Sequence, residues 1–289
     1  MKKISLLIGN DINNINNSQS WSDLLNDIVK YCGAKNELKS FDNKPFPLLY
    51  EEIFLKSIKK REIDENDLKK YIASKVSEIQ ANSIHKRINE IKTNNIITTN
   101  YDFSLEGYIP KRNDGIINEK LYSIFRKSTN EEKNYWHIHG DCLLPLSINL
   151  GFEHYGGQLQ QIRNYVVSGT NYKSKSILKK PLVKRLAEGE INNQSWVDLF
   201  FTTDIHIFGL SLDFVETDLW WLLTYRARHK YYKKRILKKE IYYYIPENLV
   251  ATSSHKLDLF TANGIEVIEI KAKDKSDYYN KVIDRINGT

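Results

Sequence analysis

Cysteine is almost absent: Cys32 and Cys142 are the only two in 289 residues. One pair cannot build a disulfide scaffold, and without a CxxC pair there is no zinc knuckle. Long apolar runs are missing too, since no stretch nears the roughly 18 apolar residues of a membrane-spanning helix. The opening "MKKISLLIGNDINN" sets lysines before an apolar run of only about five residues, against the seven or more of a signal-peptide core. No small-residue cleavage site follows it. Repeats, low-complexity tracts and long linkers are lacking as well. These absences predict a soluble protein of the reducing cytoplasm with no membrane partner. The length suits a single α/β domain over residues 1–289 that carries helical insertions.

What is present is ordinary for a soluble chain, with 41% hydrophobic and 27% charged residues, so a packed core is expected. The net charge of +7 brings nucleic acid into consideration as a direct partner. The densest basic run is "RARHKYYKKRILKK", residues 226 to 239. A solvated helix end with cations near its C-terminus is the simpler account of that run. A general richness in Lys, Asn and Ile explains part of the charge.

Short apolar runs punctuate the chain. "ISLLI" (4–8) ends in Gly9, and "NNIITTN" closes on polar residues. "LYSIFR" (121–126), "NYWHIHGD" (134–141), the run into "IFGLSL", "EIYYYIPE" and "GIEVIEI" read as further strands. Between them lie helical patterns. The longest blocks fall at about 47–92, with Leu68, Ile72 and Val76 at helical spacing, and at about 152–199. Strands alternating with helices predict a doubly wound, mostly parallel, Rossmann-like sheet with helical insertions. Trp220 and Trp221 read as helix packing, and Tyr242 to Tyr244 as strand.

Ligands of such sheets bind outside the carboxyl ends of the strands. Four polar clusters fall there: Gly9-Asn10, Thr98 to Asp102, His139 to Asp141, and Gly209 to Asp213. Their convergence on one edge would make a pocket. Taken singly, Asn and Asp at strand ends make Asx turns more often than sites. His137 and His139, two apart on a strand, would share a face and could hold a metal with Asp102 or Asp141. Nothing fixes that spacing, and no metal is expected.

The order "IGNDIN", "TTNYD", "HGD", "IFGLSL" resembles the sirtuin-like (silent information regulator-like) NAD-consuming fold. The resemblance is strongest to the bacterial sirtuin-like domains of antiphage defence systems, which hydrolyse NAD. It implies a Rossmann-like fold, NAD+ as substrate, and an effector that depletes cellular NAD in an abortive infection response. It also implies a homo-oligomer or a regulatory partner such as an ATPase or a nucleic-acid-guided protein. The protein-deacylating relatives carry a four-cysteine zinc module, which two cysteines cannot form. The first loop departs from the family's glycine-rich pattern: only Gly9 of its glycines is kept, Asn13 stands where serine is frequent, and Asp11 would repel phosphates unless its carboxylate turned aside.

Cleavage of the nicotinamide–ribose bond passes through an oxocarbenium-like transition state, and nicotinamide leaves without needing an acid. On the resemblance, Asn100 would hold a ribose hydroxyl and the attacking water, because an amide both donates and accepts. His139 suits general-base work near neutrality. Asp102 would order Asn100 or act on the developing positive charge. Gly9, Asn10, Asn13, Thr98, Thr99 and Gly140 would approach the ligand, with Gly209 and Ser211 on its adenosine or phosphate side. Two other roles stay open: a catalytically silent subunit that senses NAD or ADP-ribose, and a basic nucleic-acid-binding protein.

Overall fold

The structure, a computed structural model, describes all residues except 1–2, 16–20, 36–37, 39–43, 132, 173–176, 232–236 and 289. Its centre is a seven-stranded sheet. The strands are β1 (Ile4–Ile8), β2 (Asn95–Thr98), β3 (Ser128–Asn130), β4 (Lys133–His137), β7 (Asp204–Phe208), β8 (Ile241–Pro246) and β9 (Ile265–Ile270). Their spatial order is β3-β4-β2-β1-β7-β8-β9, and every pairing is parallel except the edge pair β3–β4. A short hairpin of β5 (Thr170–Tyr172) and β6 (Ile177–Lys179) stands apart. It interrupts the block at 152–199, where the helical pattern predicts helix almost throughout.

Both faces of the sheet are covered, which is why its strands are apolar on both sides. Successive residues of β1 alternate between the layers: Leu7 joins one core and Leu6 and Ile8 the other. The first core packs β1, β2, β7 and β8 against α5 (Phe152–Val167), α7 (Trp196–Thr202), α8 (Thr217–Tyr231) and α9 (Glu247–Ala262). The second packs them against α4 (Ser83–Glu90) and α10 (Lys275–Asn287). A third core lies among α1 (Trp21–Tyr31), α2 (Phe46–Arg61) and α3 (Glu65–Val76), joined by Tyr101, Ile148 and Leu150.

Local chemistry sets these helices. The Asp64 side chain accepts from Asn66 N at 2.6 Å to start α3, whose Leu68, Ile72 and Val76 form one buried stripe. Asn82 and His85 form a reciprocal capping box at the start of α4. Remaining helix α6 (Leu182–Glu188) ends on Gly189 in the left-handed region.

"LYSIFR" is not a strand. The Glu119 carboxylate accepts from the backbone N–H groups of Ile124, Phe125 and Arg126 at 2.7–3.2 Å, taking the place of a neighbouring strand. Ile124 and Phe125 are buried because this loop covers the first core. The basic run starts as the C-terminal end of α8, with Arg228, His229 and Lys230 in its last turn, but it is not solvated throughout: Arg226 is fully buried and donates to the carbonyls of Phe200 and Lys239. Its residues 232–236 lie outside the described residues. Among the described residues no helix is long and apolar enough to cross a membrane.

From β1 the chain builds outward through β2 and β4, then returns beside β1 as β7 and builds the other way. The reversal between β1 and β7 opens a crevice at their carboxyl ends.

Candidate active site

That crevice holds a cavity of about 580 Å³, within the usual size of small-molecule sites. Asn10, Thr99, His139, Gly209 and Ser211 line it, so all four predicted clusters send at least one residue to its wall or its immediate support. Glu216 and Tyr155, which the sequence reading passes over, line it too.

The "TTNYD" turn is built from inside. Thr98 Oγ1 donates to Ile8 O at 2.9 Å and accepts from Asn100 N at 3.0 Å, so its hydroxyl ties the turn to β1 rather than facing the cavity. His137 Nδ1 donates to Asn100 O at 2.6 Å, while Nε2 meets Glu106 Oε1 at 2.8 Å. Burial disfavours a charged His137, but the Glu106 carboxylate more than offsets it and lifts the pKa to about 9. The ring therefore donates from both nitrogens at neutral pH. Asn100 is thus fixed by its backbone, whereas both atoms of its buried side-chain amide lack a hydrogen-bond partner among the described residues. An orphaned buried amide costs about 1–3 kcal/mol per unmet group, which a ligand or water would recover.

His139 is buried and pairs its Nε2 with Asp218 Oδ2 at 2.9 Å. Burial lowers its pKa, Asp218 raises it, and the balance stands above the ordinary value. Tyr155 meets the ring edge-on at 5.1 Å. Glu216 sits two residues before Asp218, with its carboxyl raised to about 8 chiefly by burial.

Asp102 and Asn13 face each other, not the cavity. Asn13 Nδ2 donates to Asp102 Oδ2 and to Asn10 Oδ1, both at 2.8 Å. The other Asp102 oxygen accepts from Ser104 N at 3.0 Å. His85 Nε2 reaches Asn13 Oδ1 at 2.9 Å, and its Nδ1 accepts from Asn82 N at 3.0 Å. Asp102 and Asn13 therefore hold the first loop against the "TTNYD" turn. Asp11 lines the cavity and is paired there rather than capping the turn: it accepts from Lys275 Nζ at 2.6 Å and Tyr279 Oη at 2.5 Å.

The glycines serve the chain's own crossings. A Cβ on Gly9 would lie 2.4 Å from Gly209 O, so its absence lets the β1 and β7 turns touch. Gly140 has φ +97°, and a Cβ there would lie 2.1 Å from Ser147 O. It makes room for the Ser147–Ile148 backbone, not for a ligand as the motif suggests. The shared face predicted for His137 and His139 also fails. β4 ends at His137, the period of two ends with it, and the rings turn to different carboxylates. Among the described residues no cluster of three His, Cys, Asp or Glu could hold a metal.

Residues 94–212 match the family model of the SIR2-like domain. That stretch of the chain is similar to the SIR2-like domain. The SIR2-like match takes in "TTNYD", "HGD" and "IFGLSL" and leaves out the first loop, so the sirtuin-like resemblance holds where its motifs are strongest. The seven-stranded, mostly parallel sheet agrees with it. No curated protein matches the sequence. Asp218 and Glu216 escaped the sequence reading because acidic residues at a helix start are commonplace caps and dipole partners.

Proposed function

We propose that this chain hydrolyses NAD+ at the nicotinamide–ribose bond, releasing nicotinamide and ADP-ribose. The orphaned amide of Asn100 carries the reading. It follows directly on Thr99, which lines the same cavity as His139. A buried amide with both donor and acceptor unmet suits a ribose hydroxyl together with a water. His139, with Nε2–H committed to Asp218, keeps Nδ1 as the atom that accepts the proton of that water. Once protonated, the ring is stabilised by the Asp218 carboxylate. Gly209 and Ser211 support the reading from the adenosine or phosphate end of the cavity. Asp102 and Asn13 act by positioning.

The SIR2-like family places NAD-related chemistry in the foreground. The defence role, in which the chain depletes cellular NAD and answers to an oligomeric state or to a partner such as an ATPase or nucleic-acid-guided protein, extends the same proposal. Nicotinamide release by wild type, Asn100→Ala and His139→Ala tests the chemistry. Wild-type turnover with near-complete loss in both variants is expected; equal activity in all three removes these residues from the site. Ligand-induced stabilisation without nicotinamide release, in the presence of the cellular partner, would instead favour a sensing subunit.

A further inference from the structure

Glu216 lines the cavity beside His139 but has no part in the chemistry above. It is 8% exposed, and its Oε2 is buried with no hydrogen-bond partner among the described residues. Its backbone is anchored at both ends: N donates to Asp213 O and O accepts from Trp220 N, each at 3.0 Å. The backbone that carries the carboxyl is thus fixed, and Oε2 is left for a ligand to answer.

The groups facing it define what that ligand is. Among charged groups His139 and Asp218 act on it most strongly, followed by Asp213 at the rim, where Lys256 Nζ meets it at 3.2 Å. Tyr101, Tyr155 and Tyr243 face the same carboxyl, and all three have phenols raised far above ordinary pH, so they stay neutral. With Asp213 answered by Lys256, two carboxyls flank one imidazole. If both ionise while His139 is protonated, the cluster keeps one unbalanced negative charge. Asp218 Oδ1 is also buried without a partner, so the surplus is not absorbed elsewhere.

We infer that Glu216 is a specificity determinant that selects a ligand bearing a positively charged ring at this end of the cavity. This rests on the reading of the cavity as an NAD+ site, and deepens it: the oxidised, cationic nicotinamide is accepted and the neutral dihydronicotinamide is not. The charge balance is simple. The cationic ring enters, the Glu216 O–H bond breaks, and its proton leaves to solvent while the electron pair stays on the carboxylate. Burial holds the Glu216 pKa up to about 8, so at neutral pH the proton is there to be released. In a site of low dielectric the resulting ion pair is worth far more than it would be in water.

The test is the pH dependence of binding by wild type and Glu216→Gln, using carba-NAD+ and NADH as probes. Carba-NAD+ keeps the charged ring but cannot form the oxocarbenium ion. Its affinity for wild type should rise by up to about tenfold per pH unit from roughly pH 6 towards 8, with NADH flat, because one proton is released on binding. In Glu216→Gln, which keeps shape and hydrogen-bonding capacity, the rise approaching pH 8 should vanish. An unchanged slope in that variant assigns the proton to His139 and overturns the inference, as does the same slope for NADH. Binding of carba-NAD+ with no slope sinks this inference alone; no binding of either probe sinks the NAD+ reading with it.

Discussion

His139 and Asp218 stand 2.9 Å apart, nitrogen to carboxylate oxygen, both buried, across 79 residues of sequence. The pair fixes which nitrogen of the ring can take a proton. It also raises the pH at which that nitrogen becomes free, because Asp218 favours the charged ring.

Activity that needs a neutral His139 should therefore rise with pH through a limb lying above the ordinary histidine value of 6.5. Asp218→Asn removes the charge that raises it. The limb of kcat/KM should move to lower pH, while the plateau falls by about 10²–10⁴-fold, the usual worth of general-base assistance, as the ring loses its orientation. A lowered plateau with an unmoved limb would separate Asp218 from the titration.

Lys275 is expected to matter for binding without touching substrate. It meets Asp11 at 2.6 Å, on the loop that borders the cavity. Lys275→Ala leaves Asp11 uncompensated and should raise KM for NAD+ several-fold with kcat little changed. Adding Asp11→Asn should restore the affinity. Salt should narrow the difference, because both side chains are partly exposed and screened.

The Glu106–His137 pair predicts a stability slope on the alkaline side. The His137 pKa is about 9 folded against 6.5 ordinarily, so the folded state holds the extra proton between those values. The contribution is full below pH 6.5 and drains away as pH climbs through about 9. Melting temperatures across that window should fall in wild type. Glu106→Gln should flatten the slope and lose about 3 kcal/mol at neutral pH, the cost of breaking a buried pair.

His85 gives the opposite sign. Burial depresses its pKa to about 4, and the neutral ring is required because Nδ1 accepts from Asn82 N. The unfolded chain takes up a proton near pH 6.5 that the folded chain refuses until about 4, so stability should fall as pH drops through that range. Because His85 braces Asn13, thermal unfolding in acid should be less steep in His85→Gln than in wild type.

Gly140→Ala should destabilise by about 2–4 kcal/mol, combining a strained backbone with a Cβ pressed on Ser147 O. The Ser147–Ile148 segment would have to shift, and Asn149 N bonds His139 O at 2.8 Å, so activity should fall further than stability alone explains. Chemical denaturation and nicotinamide release on the same sample separate the two effects.

Much of this molecule can be read from its residues. Strand ends at Gly9, Asn100 and Gly209 are legible because apolar runs stop on residues that favour turns, and parallel sheets gather such ends on one edge. "LYSIFR" misleads because its backbone partner is one carboxylate, Glu119, and no apolar pattern records a side chain doing a strand's work. His137 and His139 mislead for a related reason: the period of two applies only while the strand continues, and β4 stops between them. Asp102 is visible as a site residue by type, yet its partner Asn13 lies 89 residues away and only folding joins them.

The Asp11–Lys275 contact closes a span of 264 residues. The charge of Asp11 at the mouth of the crevice is balanced only where α10 is docked against the first loop. Loosening α10 from the sheet would therefore expose that charge and make the cavity hostile to an anion, so the last helix described governs what the first loop can receive.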